Sequence, residues 1–168
     1  MKIGLIGPAN IKRVCDAVDI GEEEYYSIVR AIAEKVAKAE HEILIIPAKR
    51  SGVEFFAEVY RDEDGPKIIG IMPETDDEKS LLNKQACDEI INCSSACEMN
   101  LTMLKNCDMI ICIGYGPESI AIICSTKVVQ FEKVYVIKEL ISKKLPDELE
   151  TCLRINYVKA DDVKGLLK

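Results

Sequence analysis

Seven short apolar runs punctuate the chain, and most are unbroken instead of alternating. They read "KIGLIG" (2–7), "EILIIP" (42–47), "KIIGIMP" (67–73), "DEIINC" (88–93), "DMIICIG" (108–114), "KVYVI" (133–137) and "LRINYV" (153–158). A strand that is apolar at every position must be covered on both faces, whereas a half-solvated strand alternates. Segments with helical spacing separate the runs. From Glu22 to Glu40 the apolar positions are Tyr25, Ile28, Val29, Ile32, Ala33, Val36 and Ala37. Glu22, Glu23 and Glu24 stand at the end where the helix dipole favours anions, with Lys35 and Lys38 near the other. Further helices are expected over 51–65, over 97–107, and from the glycines at 114 and 116 through Phe131. "DDVKGLLK" closes the chain as a short amphipathic helix with Asp161 as its candidate cap. The acidic stretch 74–80 reads as an exposed loop.

Buried-type strands alternating with helices predict an α/β fold: a doubly wound, Rossmann-like parallel sheet of six or seven strands with helices on both faces. No repeat, low-complexity tract or linker interrupts it, so residues 1–168 read as one domain. The composition agrees, with 48% hydrophobic and 30% charged residues. Twenty-nine acids against 22 lysines and arginines give a formal net charge of −7, which argues against nucleic-acid and anionic-membrane partners. A local basic pocket stays compatible with that balance. The first apolar run is too short for a signal peptide or a membrane span, and the expectation is a cytoplasmic protein.

The eight cysteines, Cys15, Cys87, Cys93, Cys97, Cys107, Cys112, Cys124 and Cys152, show no paired CxxC spacing. Without a secretion signal a disulfide framework is not expected. Cys87, Cys93 and Cys97 form a loose cluster, and Cys93 and Cys97 could share a helical face. Structural zinc wants four ligands at tighter spacing, and the only histidine, His41, offers no obvious fourth. The expectation is therefore no metal, no cofactor, and thiols that are buried or idle.

In an open parallel sheet, ligands bind beyond the carboxyl ends of the strands, where strand order reverses. Three strand ends carry unusual residues: Gly7-Pro8-Ala9-Asn10, Pro47-Ala48-Lys49-Arg50-Ser51-Gly52, and Gly114-Tyr115-Gly116-Pro117-Glu118-Ser119. Glycines let backbone N–H groups approach a phosphate, and a following helix adds its dipole. Glycine after a strand also serves merely to turn the chain.

The order of these segments resembles the Rossmann-like "lysine decarboxylase-like" (LOG/SLOG) superfamily. That superfamily includes cytokinin-activating phosphoribohydrolases and molybdenum-cofactor carrier proteins. The resemblance covers nearly the whole chain and rests on "SGVEFF" followed by "KIIGIMP", on "NCDMIICIGYG", and on the closing "YVKADDVKGLLK". It implies a nucleoside monophosphate or related phosphorylated ligand gripped by glycine-rich turns, and a homo-oligomer. In the hydrolase members, a PGGxGTxxE signature and an arginine from the preceding helix hydrolyse an N-glycosidic bond. Here Pro117 stands at the threonine position, the acid falls at Glu118 where Ser119 or Ile120 would carry it, and Met99 replaces the arginine. Pro47-Ala48-Lys49 replaces a triple-glycine turn. These departures argue against hydrolysis.

The candidate ligand-binding residues are thus Gly7, Pro8, Asn10, Lys49, Arg50, Ser51, Gly52, Asn100, Gly114, Tyr115, Gly116 and Ser119, with Glu118 and Glu54 as candidate catalytic carboxylates. Several carry two readings. Lys49 and Arg50 are either solvated charges or cations gripping an anion once held by glycine amides. Glu54 faces the ligand or solvent. Asn10 and Ser51 contact a ligand or cap helices, with capping favoured for Ser51. Asn100 shapes the loop or contacts a ribose, and Tyr115 stacks on a base or shields the sheet edge. The leading functional reading is a nucleotide-like ligand-binding protein or sensor with a degenerate catalytic motif. The alternatives are a phosphoribohydrolase of nucleoside 5′-monophosphates and a structural oligomer with a vestigial pocket.

Overall fold

The computed structural model describes residues 1–74 and 81–168. All but Glu74 of the expected acidic loop at 74–80 lies outside them. The strands are β1 (Lys2–Ile6), β2 (Glu42–Ile45), β3 (Ile68–Pro73), β4 (Glu89–Cys93), β5 (Met109–Cys112), β6 (Val134–Ile137) and β7 (Ile155–Val158). All pair in parallel, in the order β4-β3-β2-β1-β5-β6-β7. Each strand sits within an apolar run of the sequence, and the doubly wound sheet is as expected.

The helices are α1 (Ile11–Val18), α2 (Glu22–Lys38), α3 (Gly52–Asp62), α4 (Met99–Asn106), α5 (Pro117–Val129), α6 (Asp147–Glu150) and α7 (Val163–Leu166). Alternate residues of the central strands feed two separate cores. Ile3, Leu5, Ile43, Ile45, Ile111 and Ile113 face one side, under α2 and α3. Ile6, Leu44, Ile69, Ile110 and Cys112 face the other, under α4 and α5. Strand order runs outward from β1 to β4 and then returns to β5 on the opposite flank of β1. That reversal is the switch point between β1 and β5.

Two local expectations need correction. Helix α1 had no counterpart in the sequence reading, although Asn10 caps it, its Oδ1 accepting from Arg13 N at 3.1 Å. Ile11, Val14, Cys15 and Val18 then follow at helical spacing, three of them buried. Asp161 does not cap the closing helix. It lies in a 3-10 turn, Ala160–Asp162, and its carboxylate pairs instead with Lys35 at 3.4 Å. With 98% of its side chain exposed, that pair adds little.

Candidate functional site

The ends of β1 and β5 are stitched together by backbone. Ile113 N donates to Ile6 O at 2.9 Å, and Gly52 N, opening α3, donates to Pro8 O at 3.1 Å. Tyr25 of α2 is fully buried, and its hydroxyl donates to Ile113 O at 3.0 Å. Burial pushes that phenol well above the usual tyrosine range. Beyond Ile113 the chain turns at Gly114, whose φ of +123° is a left-handed conformation that favours glycine. A Cβ on Gly116 would stand 3.3 Å from Pro8 Cα, so the two loops pass in backbone contact.

Ser119 fixes this turn. Its buried hydroxyl accepts from Gly116 N at 2.8 Å and lies within donating distance of Gly114 O and Gly116 O. Pro117 occupies the first turn of α5, where a missing N–H does no harm. Glu118 follows, exposed, with Oε2 3.2 Å from where a Gly116 Cβ would sit.

Two cavities flank the stitched loops. The larger, about 430 Å³, opens between α1, the 114–118 turn and residues 140–142. Its walls include Pro8, Asn10, Arg13, Val14, Tyr115 and Glu118. The smaller, about 270 Å³, lies against α4 and α5 and is lined mainly by aliphatic side chains and methionines. Gly7, Ser51, Asn100, Ser119 and, again, Glu118 complete it. Ala9 and Glu118 border both spaces.

The structure thus gathers Gly7, Pro8, Asn10, Ser51, Asn100, Tyr115, Gly116, Glu118 and Ser119 around two connected walls, with Gly114 buried beneath. Four other candidates stand apart. Gly52 is packed against the Tyr25 hydroxyl. Lys49 and Arg50 are exposed and line neither cavity, and Lys49 N donates to Leu81 O at 2.7 Å. Glu54 accepts from Arg50 N and from Asn83 Nδ2, each at 2.6 Å, so its carboxylate holds the 50–54 turn against residue 83. It borders a separate space of about 120 Å³.

Ser51 behaves as a cap, its hydroxyl accepting from Glu54 N at 3.1 Å and donating to Ala48 O at 2.6 Å. The residue that sequence reasoning missed is Arg13, among the described residues the sole cation on the wall of the larger cavity. The signal was present: it sits three residues after the cap Asn10, on the helix that went unread.

The far wall of the larger cavity has its own anchor. Tyr115 donates to the Tyr157 hydroxyl at 3.4 Å, Tyr157 donates to the Glu150 carboxylate, and Leu145 N donates to the Tyr157 hydroxyl at 3.2 Å. Burial and the Tyr157 contact both raise the Tyr115 phenol above its ordinary range. Lys144 places its ammonium 4.9 Å from the centre of the Tyr157 ring.

The cysteines form no comparable site. Burial pushes the thiols of Cys107 and Cys112 up to about 12 and that of Cys87 to about 11, which disfavours the reactive thiolate. Among the described residues, no group of three or more histidines, cysteines and acids could hold a metal ion. Among them, too, no helix is long and apolar enough to cross a membrane.

This sheet order, with cavities at the switch point, defines a Rossmann-like α/β protein. A family model described as the SLOG cluster4 family matches residues 1–162, and the chain belongs to that family. No match was found among curated proteins. Among solved structures, the molybdenum cofactor binding protein of the phototrophic bacterium Rippkaea orientalis is similar, with a TM-score of 0.74 and 16% identity over 99% of this chain and 94% of that one. The molybdenum cofactor carrier protein of Chlamydomonas reinhardtii is similar with a TM-score of 0.70 and 16% identity, over 99% of this chain and 94% of that one. At such identities the likeness shows the fold.

Proposed function

We propose that the chain is a binding protein for a small, phosphorylated, nucleotide-like molecule, seated where β1 and β5 end. The observation that carries this reading is the pair of cavities meeting at Glu118, one carrying Arg13 on its wall and the other mostly apolar. A guanidinium suits an anionic oxygen group, and an apolar recess suits a flat ring. The molybdenum cofactor proteins of the same fold add support for a small-molecule ligand. The family resemblance adds the expectation of a homo-oligomer.

A thermal-shift screen with nucleoside monophosphates, nucleotide sugars and molybdopterin-like compounds tests this directly. A ligand at about 100 times its dissociation constant adds ~2.7 kcal/mol to the folded state. Arg13→Ala is expected to weaken the strongest such ligand about 10- to 100-fold, the worth of a charged hydrogen bond. Arg13 is exposed on α1, so the variant should keep its fold. Absence of any shift across the screen, or affinity unchanged by Arg13→Ala, would overturn the reading.

Glu118 supports a second reading, N-glycosidic hydrolysis of a nucleoside 5′-monophosphate, because among the described residues it is the only carboxylate on either cavity wall. Free base released by the wild type and lost in Glu118→Gln would establish it. No release from any nucleoside monophosphate would end it.

A further inference from the structure

The polar lining of the smaller cavity is sparse, and most of it is already committed. The Ser51 hydroxyl is spent on Ala48 O and Glu54 N, and the Ser119 hydroxyl on the 114–116 backbone. Two polar side chains remain on its wall, Asn100 and Glu118, and among the described residues neither makes a side-chain hydrogen bond. Among the described residues Glu118 is also the only charged side chain there, beside Ile6, Ile46, Met99, Met103 and Ile122.

An ionised carboxylate only accepts hydrogen bonds. A ring entering this recess is therefore favoured when it turns donors toward Glu118, since an acceptor edge would set lone pairs against the carboxylate's own. Glu118 borders both cavities, so it is the guanidinium of Arg13, on the wall of the larger one alone, that favours a phosphate there. Shape alone would admit many flat rings. Charge and hydrogen bonding narrow the choice.

Resting on the binding reading above, we propose that Glu118 is a specificity-determining residue, which selects a ring bearing an N–H and an adjacent exocyclic amine, as on the donor edge of guanine. Two parallel N–H groups match the two oxygens of one carboxylate, as a guanidinium does. The counterpart lacking the amine forfeits one of those bonds.

Isothermal titration with guanosine 5′-monophosphate and inosine 5′-monophosphate tests this, because the pair differs by that one amine. The wild type should prefer the guanosine nucleotide by about tenfold or more. Glu118→Ala should bring the two affinities within about twofold of each other, while Arg13→Ala should weaken both and leave their ratio intact. Glu118 is exposed at the start of α5, and far-UV circular dichroism of the variant checks that the helix persists. Equal affinities in the wild type, or a preference that survives Glu118→Ala, would overturn the selector while leaving the binding reading in place. Failure of both nucleotides to bind overturns the selector, whereas the binding reading falls only if the whole thermal-shift screen is silent.

Discussion

Gly52→Ala is expected to destabilise the fold by about 3 kcal/mol, an effect at the top of the range for overpacking in a closed interior. A Cβ at that position would stand 2.2 Å from the Tyr25 hydroxyl, which no small shift accommodates. Tyr25 has little room to withdraw, being fully buried with its hydroxyl bonded to Ile113 O. The substitution therefore forces both a clash and the loss of a buried hydrogen bond. Urea denaturation measures it. Adding Tyr25→Phe removes the oxygen that clashes, leaving ring carbon Cζ 3.2 Å from the new methyl. The double variant should be more stable than Gly52→Ala alone, although Tyr25→Phe by itself destabilises. That non-additivity is the signature of direct contact. Simple addition of the two losses would refute the account.

Gly114→Ala is expected to cost roughly 2 kcal/mol and to disturb the ligand site as well. Its φ of +123° strains any residue with a side chain. The new Cβ would also lie 3.3 Å from both Leu140 O and Val14 Cγ1, two groups of the larger cavity's wall. Gly116→Ala makes the control. It crowds Pro8 at the same 3.3 Å but sits at φ −149°, an extended angle that alanine accepts. Both variants crowd their neighbours at similar distances, so the difference between them in denaturant reports chiefly the backbone strain. Gly114→Ala no less stable than Gly116→Ala would contradict the assignment.

The sheet was legible because parallel strands buried on both faces leave unbroken apolar runs, which turns and helices seldom mimic. What a run carries no mark of is its neighbour. Ile3 and Met109 are paired across the switch point though more than a hundred positions separate them. Only that pairing brings the Gly7 and Gly114 turns into contact. Helix α1 escaped notice because eight residues offer barely two turns of periodicity, and Arg13 escaped with it. An exposed arginine on a short helix looks like any solvated charge until the opposite wall is known.

Glu54 and Glu118 show the same limit from the other side. Each is an acid in the first turn of a helix that follows a glycine-containing strand end. Sequence ranks them alike. In the fold one carboxylate is consumed by Arg50 N and Asn83, while the other borders both cavities. The difference is set by residue 83, which no local pattern links to residue 54. Lys49 and Arg50 illustrate it too, since both are exposed and line neither cavity.

Tyr157 belongs to β7, the outermost strand on its flank, yet its hydroxyl ties together Tyr115, Leu145 and Glu150. Edge strands fray more readily than central ones, because only one side of their ladder is bonded. Opening of β7 would release the anchor of Tyr115 and, through Leu145, loosen the chain leading from Ile141 and Ser142 on the cavity wall. Occupancy of the cavity and closure of the sheet's margin are then expected to be linked: a ligand that fills the space and holds Tyr115 should slow amide exchange along β7.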